Sequence, residues 1–132
     1  MNLIICLDER NGWCFNNRRQ SRDVTVCRQC LRLSENNVLR MNAYSSKLFP
    51  DNSSAILVSE NFLSDASQGD YCFSEGTLPP LHEVERIYVF RWNRIYPADV
   101  TFSPEEAGFH LTHTEEFSGN SHPLITMEVY EP

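Results

Sequence analysis

Asp23 is the carboxylate best placed for chemistry, because it stands at the start of an apolar-periodic segment; burial there would raise its pKa and suit it to general acid work. Four arginines lie within five residues of it (Arg18, Arg19, Arg22, Arg28), and such neighbours favour an ionised carboxylate paired with Arg at a helix start. The run Arg18-Arg19-Gln20-Ser21-Arg22 is itself a candidate anion site, since guanidinium forks match carboxylates and phosphates. The alternative is that these arginines pair with the acids of the second half of the chain. Ser45, Ser46 and Ser59 fall at helix or strand ends, where a hydroxyl beside free N–H groups either binds phosphate or simply caps. Cys27-Arg-Gln-Cys30 has the spacing of a redox dithiol. Both thiols, however, fall inside the expected helix on its apolar side, and no second pair supplies the ligands for a tetrahedral zinc. His110 and His113 would share a face on a helix but point to opposite faces of a strand, so they are not expected to hold a metal together. His122 lies in the turn that follows and is near enough in sequence to approach one of them. Trp13 and Phe15, in the first loop, would cover a ligand or plug the core. A G-x-G-x-x-G run, a P-loop and a Ser-His-Asp order with local signatures are all missing.

Composition narrows the partners. The 132 residues carry a net charge of −7, with eight basic and seven acidic groups in residues 1–66 but three basic and eleven acidic groups in residues 67–132. Residues 10–40 alone hold seven arginines against Asp23 and Glu35. Long-range steering by an acidic chain opposes duplex nucleic acid, so that partner is not expected. An anionic small molecule or an acidic protein surface fits the basic segment. Oligomeric state is left open. The apolar run Met1-Asn-Leu-Ile-Ile-Cys-Leu-Asp8 has no basic leader and reads as a strand rather than a signal peptide. No window approaches the roughly 18 apolar residues of a membrane span. Five cysteines, an odd count, suggest reduced thiols in the cytoplasm.

These side chains need elements to hold them. Residues 2–7, apolar on both faces, predict a central strand, and a polar loop follows through residue 21. Ser21 as N-cap, with Asp23 in the first turn, opens an amphipathic helix over 22–34. Short strands follow at 38–41, 55–58 and 71–73. Between the first two of these, 42–49 reads as a brief helix stopped by Pro50. Residues 60–68 read as polar or weakly helical, and 81–84 as a helical turn. Residues 86–92 carry the strongest strand signal, with 94–97 and 99–102 extended beyond it. The alternating segments 109–117 and 124–131, joined by Ser118-Gly-Asn-Ser-His-Pro123, predict an antiparallel hairpin.

In this order the pieces resemble dihydrofolate reductase. The resemblance runs over Leu3–Asp8, the helix-start Asp23, Leu39–Phe49, Ala55–Ser59, Arg86–Val89, Tyr96–Phe102 and Glu115–Tyr130. It implies that Asp23 stands where the family keeps its substrate acid, and that Ser45 and Ser59 stand at cofactor contacts. Several positions depart from the family pattern. Arg19-Gln20-Ser21 replaces a Pro-Trp pair, Ala43 a phosphate-contacting Arg, and Phe90 the Thr that backs the substrate acid. A Gly-Gly turn that admits the cofactor's pyrophosphate is reduced to Phe73-Ser74-Glu75-Gly76, where Glu75 would repel it. The segment between Val58 and Tyr71 is short for the family, so the cofactor half reads as cut down.

The resulting expectation is an α/β fold: one domain over 1–132, a mixed sheet with a mostly parallel core and a C-terminal antiparallel hairpin, flanked by about two to four short helices, in a reduced dihydrofolate reductase-like arrangement. The functional expectation is a non-catalytic binding or regulatory protein for an anionic small molecule, nucleotide or acidic partner. It would use Arg18, Arg19, Arg22, Ser45 and Ser59, with neither cofactor nor metal. The alternative is a divergent NAD(P)H-dependent reductase using Asp23. A third reading is a metal-dependent phosphodiesterase using His110, His113 or His122, although the H-x-H-x-D-H cluster of ribonuclease Z is absent.

Overall fold

Strand β1 (Asn2–Leu7) forms the middle of a seven-stranded sheet because its side chains are apolar on both faces. In this computed structural model, residues 1–132 are described, apart from the side chains of residues 52 and 53. After β1 come β2 (Gly12–Phe15), β3 (Arg18–Arg19), α1 (Val24–Leu33), β4 (Leu39–Met41), α2 (Ala43–Ser46), β5 (Ile56–Val58) and β6 (Tyr71–Phe73). The chain ends through β7 (Arg86–Arg91), β8 (Val100–Thr101), β9 (His110–Phe117) and β10 (Ile125–Glu131). Two 3₁₀ turns, Pro50–Ala55 and Leu81–Glu83, complete the set. The main sheet runs β5-β4-β6-β1-β7-β10-β9. Its first five strands pair in parallel, and β10 pairs antiparallel with both β7 and β9. The mixed sheet and the terminal hairpin follow the sequence expectation.

Period-two alternation divides β1 between two cores. Leu3, Ile5 and Leu7 pack with Ile87, Val89, Phe102, Phe109, Tyr130 and Trp13 on one face. Ile4 faces the other way, with Tyr88, Phe90 and the Val26, Cys27 and Cys30 side of α1. Each fully buried aliphatic side chain contributes about 1.5–3 kcal/mol. No helix among the described residues is long and apolar enough to cross a membrane.

Two expectations are corrected. The polar loop of residues 8–21 folds into a hairpin, and with β8 it makes a second sheet of order β3-β2-β8. Asn16 and Asn17 turn it with φ of 50° and 59°, the double left-handed conformation of a two-residue hairpin loop. The N-cap of α1 is Asp23 rather than Ser21. Asp23 is extended, and its carboxylate accepts from the Thr25 N–H, one of the donors that a helix start leaves without a partner.

Candidate functional site

Asp23 enters the site as an N-cap, and its carboxylate is then enclosed by a loop almost a hundred residues away. The connection between β9 and β10 wraps around it. Oδ1 accepts from Thr25 N at 2.9 Å and Asn120 N at 3.0 Å. Oδ2 accepts from Asn120 N, Ser121 N, His122 N and Ser121 Oγ at 2.8 to 3.1 Å, and lies 3.0 Å from His122 Nδ1. Gly119 permits the close approach, since a Cβ there would stand 2.7 Å from Oδ2. Burial by itself would raise the pKa of this carboxyl. The Asn120 N–H, the His122 ring and the Thr25 and Ser121 N–H groups outweigh it and hold the group well below the ordinary carboxylate range. The pairing with arginine expected from sequence is therefore replaced by backbone amides and a histidine. An acid held in this state, with its side chain fully enclosed, is a structural anchor and not a proton donor to a ligand.

His122 continues the chain of contacts. Its ring is buried, stacked on Trp92 at 4.6 Å between centroids and 23° between planes. Nδ1 faces Asp23, while Nε2 lies 3.1 Å from Ser21 Oγ and 3.0 Å from Tyr96 Oη. The two hydroxyls are 3.4 Å apart. Three segments remote in sequence, 21–23, 92–96 and 119–122, thus meet at one point. His122 does not approach His110 or His113, which sit exposed on the edge strand β9, where His113 pairs with Glu115 at 3.0 Å.

On the other side of Asp23, α1 and the segment from Lys47 to Asp51 enclose a cleft of about 370 Å³. Cys27, Leu31, Leu48 and Phe49 give it an apolar floor, and the exposed side chains of Arg22, Arg28 and Lys47 stand along it with Asp51. Arg22 is the one member of the predicted arginine site to reach this cleft. Arg18 is exposed on β3, apart from it.

No protein-family model matches this sequence, and no curated protein does. Among solved structures the chain is similar to dihydrofolate reductase from Enterococcus faecalis, described as complexed with NADP(H) and RAB-propyl. The match has a TM-score of 0.65 at 10% identity and covers 98% of this chain and 94% of that one. The chain has a dihydrofolate reductase-like fold.

Within that dihydrofolate reductase-like fold, Ser45 is tied to Arg19 through Glu75 while Ser59 stands elsewhere. Arg19 forks onto Glu75, Nε to Oε2 at 2.8 Å and Nη2 to Oε1 at 3.0 Å, and its guanidinium lies 4.1 Å from the centre of the Tyr44 ring. Buried Ser45 donates its hydroxyl to the same Glu75 at 2.8 Å. Ser59 lies beyond β5, near Asp65 and the N–H of Asn61. The anion-site residues read from sequence therefore do not converge: Arg19 and Ser45 share a carboxylate, Arg22 borders the cleft, and Arg18 and Ser59 stand apart. The crevice lined by Cys6, Ser21, Asp23, Phe73 and Trp92 is filled to about 10 Å³. Among the described residues no three His, Cys, Asp or Glu side chains converge to hold a metal ion. Cys27 and Cys30 pack into the core of the dihydrofolate reductase-like fold, where burial pushes the Cys27 thiol up to about 11 and that of Cys30 well above its ordinary value.

Sequence reasoning singled out His122 and Arg28 without these partners, and it missed Tyr96 and Trp92 as members of the site and Lys47 as one of its cations. The available signal was Gly119 within a run of turn residues, because a loop of small residues presents several N–H groups to one anion.

Proposed function

We propose that this chain is a cytoplasmic binding protein for a small anion with an apolar body, held in the cleft between α1 and residues 47–51. The observation that carries the reading is the pairing of that apolar floor with Arg22, Arg28 and Lys47 in a chain whose net charge is −7. Because the Asp23 carboxylate is turned inward and saturated, Asp51 is the acid left to oppose a ligand there. An apolar pocket with a few convergent charges is the usual form of a small-molecule site. The odd cysteine count supports the cytoplasm.

A divergent reductase draws support from the fold alone. NADP does not fit the residues present: Glu75 stands at the turn that would admit a diphosphate, and Arg19 and Ser45 are already bonded to it.

The test uses 8-anilinonaphthalene-1-sulfonate, an apolar anion that fluoresces when bound. Saturable binding by the native protein is expected, weakened at least about tenfold in Arg28→Ala/Lys47→Ala, a loss of about 1.4 kcal/mol. Millimolar NADPH is expected to leave the melting temperature unchanged. Equal dye affinity in the folded double variant would refute the cleft, and stabilisation by NADPH would favour the reductase reading.

A further inference from the structure

We propose that Ser21, His122 and Asp23 form a nucleophilic relay in which Ser21 Oγ accepts acyl groups from small activated esters. The relay stands beside the α1 cleft and does not depend on what that cleft binds. Its geometry is complete in order: Asp23 Oδ2 lies 3.0 Å from His122 Nδ1, and His122 Nε2 lies 3.1 Å from Ser21 Oγ. A hydroxyl becomes nucleophilic when an imidazole within about 2.6–3.2 Å takes its proton and a third group fixes the ring's tautomer. Asp23 is that third group. It is fully enclosed and held ionised by backbone N–H groups, so it orients the Nδ1–H and leaves Nε2 as the base. Trp92, stacked on the ring, prevents the imidazole from turning away. Ser21 itself is partly exposed.

Tyr96 gives the arrangement an additional feature. Its hydroxyl lies 3.0 Å from the same Nε2 and 3.4 Å from Ser21 Oγ. One nitrogen lone pair takes one proton at a time. With the Ser21 hydroxyl donating to that lone pair, the Tyr96 O–H donates to Ser21 Oγ, and when Oγ commits its electron pair to the attacked carbonyl the Tyr96 O–H is free to donate to the oxygen that becomes negative. Such a donor placed in advance is the usual means of stabilising that charge.

The chemistry balances with water as the only co-reactant. Oγ forms a bond to the acyl carbon, and its proton passes to Nε2. The bond from carbon to the leaving oxygen then breaks, and that oxygen takes the proton from Nε2. Water, deprotonated by Nε2, next attacks the acyl carbon; the bond to Oγ breaks and Ser21 regains its proton. Ser21 and His122 are the catalytic residues, and Asp23 is a positioning residue.

A fluorophosphonate probe tests the first half directly, since Oγ would displace fluoride from phosphorus and keep the phosphonyl group. Intact protein is treated with the probe and the labelled peptide identified by mass spectrometry, in parallel with p-nitrophenyl acetate hydrolysis. Label on Ser21 is expected, with complete loss in Ser21→Ala. His122→Gln should slow labelling about 10²–10⁴-fold, the usual contribution of a general base. Because His122 is buried and its variant is open to misfolding, Tyr96→Phe serves as a second variant. It should fold, by circular dichroism and melting temperature, yet label more slowly than the native chain. Absence of label on Ser21 at millimolar probe would overturn the proposal. So would hydrolysis of p-nitrophenyl acetate at the same rate by native protein and Ser21→Ala, or unchanged labelling in both folded relay variants.

Discussion

Replacing Asp23 with Asn removes one charge and keeps the shape, so the cost can be worked from its contacts. Six donors converge on the carboxylate: Thr25 N, Asn120 N, Ser121 N, Ser121 Oγ, His122 N and His122 Nδ1. If the amide oxygen takes the place of Oδ2, the NH₂ group faces the Thr25 and Asn120 N–H groups. The helix then loses its N-cap acceptor, worth about 1 kcal/mol. The amide becomes a buried donor without a partner, costing about 1–3 kcal/mol. The remaining bonds lose the strength that a charged acceptor confers. Together these give about 3–5 kcal/mol, the range observed when one partner of a buried pair is removed. A chain of this length has a total stability of about 7–20 kcal/mol, and the melting temperature should fall by about 10–20 °C. Urea titration followed by circular dichroism measures the first quantity and a thermal scan the second. A pH series supplies an independent sign. Because the folded pKa of Asp23 is depressed, its stabilisation is present above the unfolded value of about 3.9 and is lost as pH falls from there toward the folded value. Asp23→Asn should therefore flatten the acid limb of the stability curve. Some slope remains from Asp8 and Asp70, whose burial would raise them but whose N–H partners hold them low. A loss below about 1 kcal/mol, or an acid limb as steep as that of the native chain, would refute this account of the carboxylate.

One further substitution and one reagent probe neighbouring features. Gly119→Ala would place a Cβ 2.5 Å from the His122 carbonyl oxygen and 2.7 Å from Asp23 Oδ2, so the loop must shift. A cost of about 1–3 kcal/mol is expected by urea titration, and a change within about 0.5 kcal/mol would show that the loop does not sit this close. Cys30 and Cys72 are fully buried, and burial raises their thiols, that of Cys72 to about 11. Neither should react with a disulfide reagent in the native protein, and all five thiols should react once urea unfolds it; prompt modification of Cys30 in the folded chain would contradict the core assignment of the Cys27–Cys30 pair.

Much of the fold is legible because strands and helices carry their patterns within a few residues. Arg86–Arg91 shows itself as β-branched and aromatic residues, and the terminal hairpin as two alternating runs around Ser118–Pro123. The small sheet is less legible. Its turn is Asn16-Asn17, which lacks the Gly of the commonest hairpin signal, and its third strand, Val100–Thr101, comes from more than eighty residues away. The arginine cluster was legible as composition but not as a site. Arg19 turns to Glu75, and the cations of the cleft include Arg28 and Lys47, which belong to separate elements.

Local patterning alone was enough to establish a mixed α/β domain, to place Asp23 at the start of its helix and to put the paired cysteines on its buried face. The tertiary structure alone decided what Asp23 bonds to, because the Asn120, Ser121 and His122 donors lie about a hundred positions away, and periodicity carries no record of contacts at that separation. The same loop closure brought His122 between Asp23 and Ser21. An acid that proximity in sequence paired with arginine was claimed instead by a ring of amides, since N–H groups with no other partner, held at short range in a buried site, outweigh guanidiniums free to remain in water.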